Sequence, residues 1–350
     1  MPHRLRRRRF ILVLSLLGIG LVAALVVANA LGAVDIHLPD IVKMALNKMS
    51  LSHFPASWRA ADETIIFQLR LPRVIGAGLV GAALATAGVL FQGLLRNPMA
   101  DPYIIGTSAG AALGATVAMM VPLDLVLLGF GLVPLGAFGG ALVTVILVYH
   151  LARVGGKTPI ISMLLAGFVV SAFLAAVMAF LMSTSRLSLN LHSVYSFLMG
   201  HISVTSWSQL AVIAPLVIGG IIGGRFFALR LNAFSLGEEG AAYLGIEVEK
   251  DKLRILALGS LLTAAAVAIS GLVGFVGLVV PHAIRLTLGP DHRFLLPAAA
   301  LAGAGFLVIA DLLARTVMAP VEVPVGVITA VIGAPFFIYL LRRSRREYAF

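Results

Sequence analysis

Apolar residues in this chain do not alternate with polar ones. They run on, uninterrupted by charge, through 10–34, 74–95, 102–123, 125–152, 158–185, 187–224, 255–284, 294–310 and 323–341. A membrane-spanning helix needs about 20 such residues. The stretch 187–224 is different in its first half, which carries Ser188, Asn190, His192, Ser193, Ser196, His201 and Ser203. That half reads as an external interfacial helix, with the span at 208–228. The stretch 255–284 is broken by Gly271, Gly274, Gly277 and Pro281, so it is long enough and interrupted enough to hold two shorter spans.

Charge sets the orientation. Arg4, Arg6, Arg7, Arg8 and Arg9 precede the first apolar run, and Arg342, Arg343, Arg345 and Arg346 follow the last. Basic flanks belong on the cytoplasmic side. Two cytoplasmic ends require an even number of spans, which favours dividing 255–284 near Gly271. The expected architecture is an all-α polytopic membrane protein, one domain over 1–350. Its ten spans lie near 10–33, 74–95, 103–121, 126–151, 159–183, 208–228, 253–270, 272–288, 295–313 and 324–341. With this topology 19 of the 26 Lys and Arg fall inside and 7 outside. The longest loop, 35–69, is then external and carries Asp35, Asp40, Lys43, Lys48, Trp58, Asp62 and Glu63. Ala28-Asn29-Ala30 imitates a signal-peptidase site, but the apolar run before it exceeds the ~7–15 residues of a signal h-region. An uncleaved first span is expected.

Composition agrees. Hydrophobic residues make up 60% of the 350 and charged ones 12%, against about 25% charged in soluble domains. Mean hydropathy is +1.04. A soluble enzyme, a disordered chain and a nucleic-acid binder are excluded as whole-chain readings. The net charge of +11 follows from the inner loops and implies no nucleic-acid partner. There is no cysteine, hence no disulfide, thiolate metal site or cysteine nucleophile.

Local motifs mostly reduce to packing. Gly156-Lys157-Thr158 ends like a phosphate-binding loop, but Leu151 stands where its first glycine would be. Gly76-Ala77-Gly78-Leu79-Val80-Gly81 satisfies G-x-G-x-x-G inside a span, with no strand before it. Gly106-Thr107-Ser108-Ala109-Gly110 satisfies the serine-hydrolase elbow, and Ser108 with His282 would make an intramembrane protease. Yet Gly106, Gly110 and Gly114 recur every fourth residue, as in closely packed membrane helices, and no acid is placed to orient a base. No catalytic residue and no metal site is expected.

Two further features point to partners. Arg70, Arg73 and Arg315 sit at outer helix ends, where arginine is disfavoured. They are expected to seat carboxylates of a soluble protein. Ser235 and Glu238 have capping-box spacing, and Gly245 suits a helix C-terminus. A short inner helix over 236–244 is expected to dock a cytoplasmic protein, with Gly237, Ala241 and Leu244 in the contact.

Together these segments resemble the permease subunits of the ABC importers for iron–siderophore, haem and vitamin B12. The resemblance is carried by Arg70-Leu71-Pro72-Arg73, Gly81 to Gly88, and Gln92. It continues through Arg96-Asn97-Pro98-Met99-Ala100-Asp101-Pro102, Gly106 to Ala111, Ser235 to Gly245, and Gly271 through Pro281-His282 to Arg285. It ends on Ala310-Asp311 to Arg315 and Glu322-Val323-Pro324-Val325-Gly326. Met99 replaces the more usual Leu. The resemblance implies ten helices per subunit, a second permease copy, two ATP-binding cassette subunits and a periplasmic or lipid-anchored binding protein. ATP and Mg would be bound by the cassette partner, leaving this chain without a cofactor. It implies import of a metal chelate across the cytoplasmic (inner) membrane of a bacterium or archaeon, first an iron(III)–siderophore, otherwise haem or vitamin B12. Asn97, Pro98, Gly106, Gly110 and Pro281 would be structural, and Ser235 to Gly245 the coupling element. A channel or ion-coupled transporter is the other class. Ion coupling needs ionisable residues within the spans, and here only Asp311 and His282 come near, both towards helix ends.

Overall fold

Without water in a bilayer, a spanning chain must satisfy its amides internally, and helices do so within one segment. A computed structural model describes residues 3–32, 34, 36–48, 50, 53–55, 58–184 and 191–344. The expectations that rest on Asp35, Ser188, Asn190, Arg345 and Arg346 lie outside the described residues. The helices are α1 (His3–Ala30), α2 (Leu38–Lys48), α3 (Ala60–Thr64), α4 (Leu71–Leu94), α5 (Thr107–Met120), α6 (Leu132–Ala152), α7 (Ile160–Thr184) and α8 (Leu191–Met199). They continue as α9 (Trp207–Phe226), α10 (Ala228–Phe234), α11 (Glu238–Tyr243), α12 (Val248–Ser270), α13 (Val276–Leu288), α14 (His292–Thr316) and α15 (Val325–Ser344). Among the described residues there is no strand, only isolated bridges at Leu127–Phe130 and Val154–Lys157.

Among the described residues seven segments are long and apolar enough to cross a membrane, and α5, α13 and α15 are shorter apolar helices. A π-helical turn, Ile65–Arg70, joins α3 to α4 without a break. The helix that contains 74–95 therefore begins at Ala60, and Arg70 and Arg73 lie inside it rather than at its start. The sequence hides this because charged residues in 60–73 lower its hydropathy while leaving its helical backbone intact.

α4 forms the centre. Nearly all of its residues from Val74 to Leu94 are buried, against α14, α12, α13 and α9. Lipid supplies no hydrophobic drive between helices, so close backbone approach must hold them. Gly81 meets the Gly303 backbone on α14, and Gly88 meets Gly277 on α13. Gly110 and Gly114 on α5 likewise face Gly140 and Gly136 on α6, where a Cβ would strike the opposite carbonyl. α7 is peripheral and exposes Phe168, Phe173 and Phe180.

Between α12 and α13, residues 271–275 leave the helix. The end of α12 is not left unsatisfied there. His201 N donates to Ser270 O at 2.8 Å and Ser203 N to Ile269 O at 2.9 Å. Leu272 N donates to Phe197 O at 3.0 Å, and Val325 N to Gly200 O at 2.9 Å. The tail of α8 is thus bonded through its backbone to both α12 and the start of α15.

Candidate functional site

Where α4 passes the end of α14, four side chains from three segments form one ionic cluster. Asp311 on α14 is fully buried. Arg73 reaches it at 3.0 Å and pairs with Glu322 at 2.9 Å. Arg315, one turn after Asp311, donates to it through Nε at 2.9 Å and to Ala28 O through Nη2 at 3.1 Å. Arg70 donates to Asn29 O at 3.3 Å and Ala30 O at 3.2 Å, and also to Val34 O. Arg70 and Arg315 are both buried and satisfy carbonyls at the C-terminal end of α1.

This corrects the expectation of three outward-facing guanidinium groups. A buried arginine must be paired, and Arg70 and Arg315 already spend their donors on the chain's own groups. Arg73 pairs with an exposed carboxylate, that of Glu322. Burial raises the pKa of Glu322, but hydrogen bonding and charge from Arg73 lower it further, so it stays below the ordinary glutamate range. The Asp311/Arg315 spacing of four was readable as a helical ion pair. The link to Arg73 crosses 238 residues of sequence and has no local signal.

At the opposite end, between α9 and α12, the chain folds back through α10 and α11. Ser235 is the C-cap of α10 and donates to Asn232 O at 2.6 Å. The N-cap of α11 is Gly237, at φ +97°, with no side-chain cap. The Ser235/Glu238 capping box is therefore not formed: α10 runs on to Phe234 and takes Ser235 as its own end. Glu238 instead accepts from Lys252 on α12 at 2.7 Å. Lys252 also bonds Glu249 at 3.0 Å and Thr158 O at 3.1 Å, and Glu249 accepts from Thr158 N at 2.9 Å. Asp251 pairs with Arg230 at 3.0 Å and Arg254 at 3.1 Å. The far end of α11 closes at Gly245, φ +80°. Gly245 N donates to Ala242 O at 2.9 Å and Ile246 N to Ala241 O at 3.2 Å, the paired bonds of a Schellman motif.

The faces of α11 also differ from expectation. Ala241 is 0% exposed, whereas Tyr243 is 92%, Leu236 68% and Leu244 63% exposed. Ala241 therefore packs inward, and Gly237 makes the backbone turn into α11. The outward apolar surface is made by Leu236, Tyr243 and Leu244, of which only Leu244 was legible.

The remaining motif residues shape the backbone. Asn97 Oδ1 accepts from Met99 N at 2.9 Å, and Ala100 N donates to Asn97 O at 3.0 Å. This turn, with Pro98 in it, returns the chain from α4 towards α5. Gly106 caps α5 at φ +87°, and Pro281 lies within α13. His282 Nδ1 is buried without a hydrogen-bond partner, and among the described residues no hydrogen bond joins His282 to Ser108. Among the described residues no group of three His, Asp or Glu is placed to hold a metal. His192 and His201 both line a cavity of about 330 Å³ with Ser193, Ser196 and Ser203. Burial holds His201 below the ordinary histidine pKa.

Comparison with known proteins gives a consistent picture. Residues 20–343 match the FecCD transport family. The chain is 44% identical over 287 residues to the uncharacterised ABC transporter permease protein YvrB of Bacillus subtilis, covering 81% of this chain and 80% of that one. It is 45% identical over 280 residues to the cobalamin import system permease protein BtuC of Halobacterium salinarum, covering 80% and 74%. It is 41% identical over 317 residues to the hemin transport system permease protein HmuU of Yersinia pestis, covering 88% and 94%. Among solved structures, one described as an inward-facing metal-chelate type ABC transporter aligns with a TM-score of 0.79 at 29% identity. That alignment covers 95% of this chain and 99% of the other.

Proposed function

The chain belongs to the FecCD transport family, and on that premise we propose that it is the membrane-spanning subunit of an ATP-driven importer of a metal chelate, first an iron(III)–siderophore. Haem and vitamin B12 are the alternative cargoes, since the relatives named above include a hemin and a cobalamin permease. In this reading the ten apolar helices all cross the cytoplasmic (inner) membrane as one domain, with both termini inside. Two copies enclose the path, lined by α7, α15 and the segment around α8.

The observation that carries the coupling role is the geometry of α11. It offers Leu236, Tyr243 and Leu244 to the outside while Lys252 ties its first residue to α12. A helix that is apolar outward and ionically fixed inward can transmit a push. Two ATP-binding cassette subunits, which hold ATP and Mg, would press there. Their closure would tilt the two permease copies between outward and inward openings as rigid bodies. Outside, a binding protein would meet the Arg73–Glu322 pair rather than Arg70 or Arg315.

Uptake of a radiolabelled ferric siderophore into vesicles holding the permease tests the reading. Import should require both the cassette subunit and ATP. Import that continued without the cassette subunit would place the chain in the channel or ion-coupled class. The cargo is identified by the ligand that co-purifies with the cognate binding protein.

A further inference from the structure

A cavity of about 550 Å³ opens at the inner end between α4, α10 and the α13–α14 turn. Its lining holds two arginines and a histidine whose hydrogen bonding is incomplete. Arg285 donates from Nη2 to Gln92 Oε1 at 2.6 Å, but its Nη1 is buried with no partner. No acidic side chain among the described residues pairs with it. Asp291, which also lines the cavity, is already engaged by Arg293 at 2.7 Å and Asn232 at 2.8 Å. Burial of an uncompensated charge is costly, so this arginine is built for an anion that comes from elsewhere.

Arg96 supplies a second guanidinium at the rim. It is exposed, makes no ion pair among the described residues, and lies beside Gly237, the N-cap of α11. His292 adds a different chemistry. It is 7% exposed, and its Nδ1 stands 2.7 Å from Asn232 Oδ1. That oxygen only accepts, so Nδ1 carries the proton and Nε2 is left as an acceptor. Nε2 is buried and has no partner. The cavity thus offers guanidinium donors for an oxyanion and one acceptor for an O–H.

We propose that this cavity binds a phosphate group bearing a hydroxyl nearby, as in hydrogen phosphate or the glycerol phosphate headgroup of an anionic lipid. Arginine forks match phosphate oxygens in pairs. The hydroxyl donates to His292 Nε2. The volume greatly exceeds the ~30 Å³ share of one water and admits a headgroup. Because Ser235 and Arg96 border both the cavity and α11, an occupant would brace the base of the coupling helix. This site does not depend on which cargo the chain carries, or on whether it carries one.

The full-length chain in uncharged detergent provides the test, with inorganic phosphate and phosphatidylglycerol as probes. Its melting midpoint should rise saturably with phosphate at constant ionic strength, relative to chloride, or with phosphatidylglycerol relative to phosphatidylcholine. Arg285→Gln should weaken that binding by about tenfold or more, the worth of a charged hydrogen bond. Arg96→Gln should weaken it severalfold and leave the ligand-free midpoint unchanged, which keeps the test valid if Arg285→Gln fails to fold. Native mass spectrometry separates the sources: retained phosphatidylglycerol adducts that are lost in Arg96→Gln identify a lipid headgroup, and a phosphate response alone identifies a soluble phosphate. No saturable response in the wild type to either probe, or wild-type binding in both variants, overturns the proposal.

Discussion

Replacing Asp311 with Asn should be among the most damaging single-atom changes in the chain. Asp311 is fully buried and accepts from Arg73 and Arg315. The amide oxygen of Asn can still accept from one arginine, but its NH2 faces the other, donor against donor. Arg73 keeps Glu322 at 2.9 Å. Arg315 keeps only the Ala28 carbonyl and becomes a buried cation without a counter-charge. Removing one partner of such a pair costs about 3–5 kcal/mol. At roughly 2 °C per kcal/mol for a chain of this size, the melting midpoint in detergent should fall by about 6–10 °C. Adding Arg315→Met removes the stranded charge. The double variant forfeits mainly the hydrogen bond to Ala28, about 1 kcal/mol, and should recover most of the loss. Thermal unfolding followed by size-exclusion fluorescence measures all members of the cycle. An Asp311→Asn midpoint within two degrees of wild type, or a double variant as unstable as its singles combined, would refute the account. So would normal stability of Arg315→Met with lost affinity for a binding protein, which would return Arg315 to a docking role.

Further outcomes follow from the two ends of the molecule. Leu244→Arg should leave the fold intact and abolish cassette-subunit assembly in a pull-down, whereas Ala241→Arg should fail to fold, because its Cβ is fully buried. Lys252→Met frees Glu238 and Glu249. With both carboxylates partly hydrated the cost is about 1–3 kcal/mol, and ATPase activity of the complex should persist while uptake falls. Gly237→Ala forces a side chain into a backbone region reserved for glycine, at about 1–3 kcal/mol, and should lower the yield of assembled complex. Glu322 has a depressed pKa in the fold, so its contribution is complete above the ordinary value of about 4.3 and is lost as pH falls through the lower folded value. The melting midpoint should drop below about pH 4 in the wild type, and Glu322→Gln should flatten that drop.

Much of the helical layout was written in local pattern. Each uncharged run contains a helix, and Gly271 stands where the helix is interrupted. The four-residue glycine spacing from Gly106 to Gly114 is a seam against α6, because a helix turn brings every fourth residue to one face. The C-terminal stop at Gly245 was local too. The readings that failed needed long-range knowledge. Ser235 has the chemistry of an N-cap, and only the length of α10 makes it a C-cap. Arg70 and Arg315 have the position of surface cations, and their burial goes with bonds to the carbonyls of Ala28, Asn29, Ala30 and Val34, far off in sequence. Which side of Ala241 faces the core depends on α12, whose Lys252 is invisible to a pattern built on residues 235–245.

α12 joins those two ends. At about 1.5 Å per residue, its 23 residues, Val248–Ser270, make a strut some 34 Å long, with the Lys252 anchor one turn in from its start. Its far tip meets the segment after α8 through main-chain amides rather than through side chains that could rotate away, and Gly200 in that segment accepts in turn from Val325 N at the start of α15. In the proposed reading, displacement at the Lys252 anchor would therefore arrive at the far tip with little slack. The amides of His201, Ser203, Leu272 and Val325 should exchange with solvent deuterium at one common rate, since none can be released without breaking the same splice.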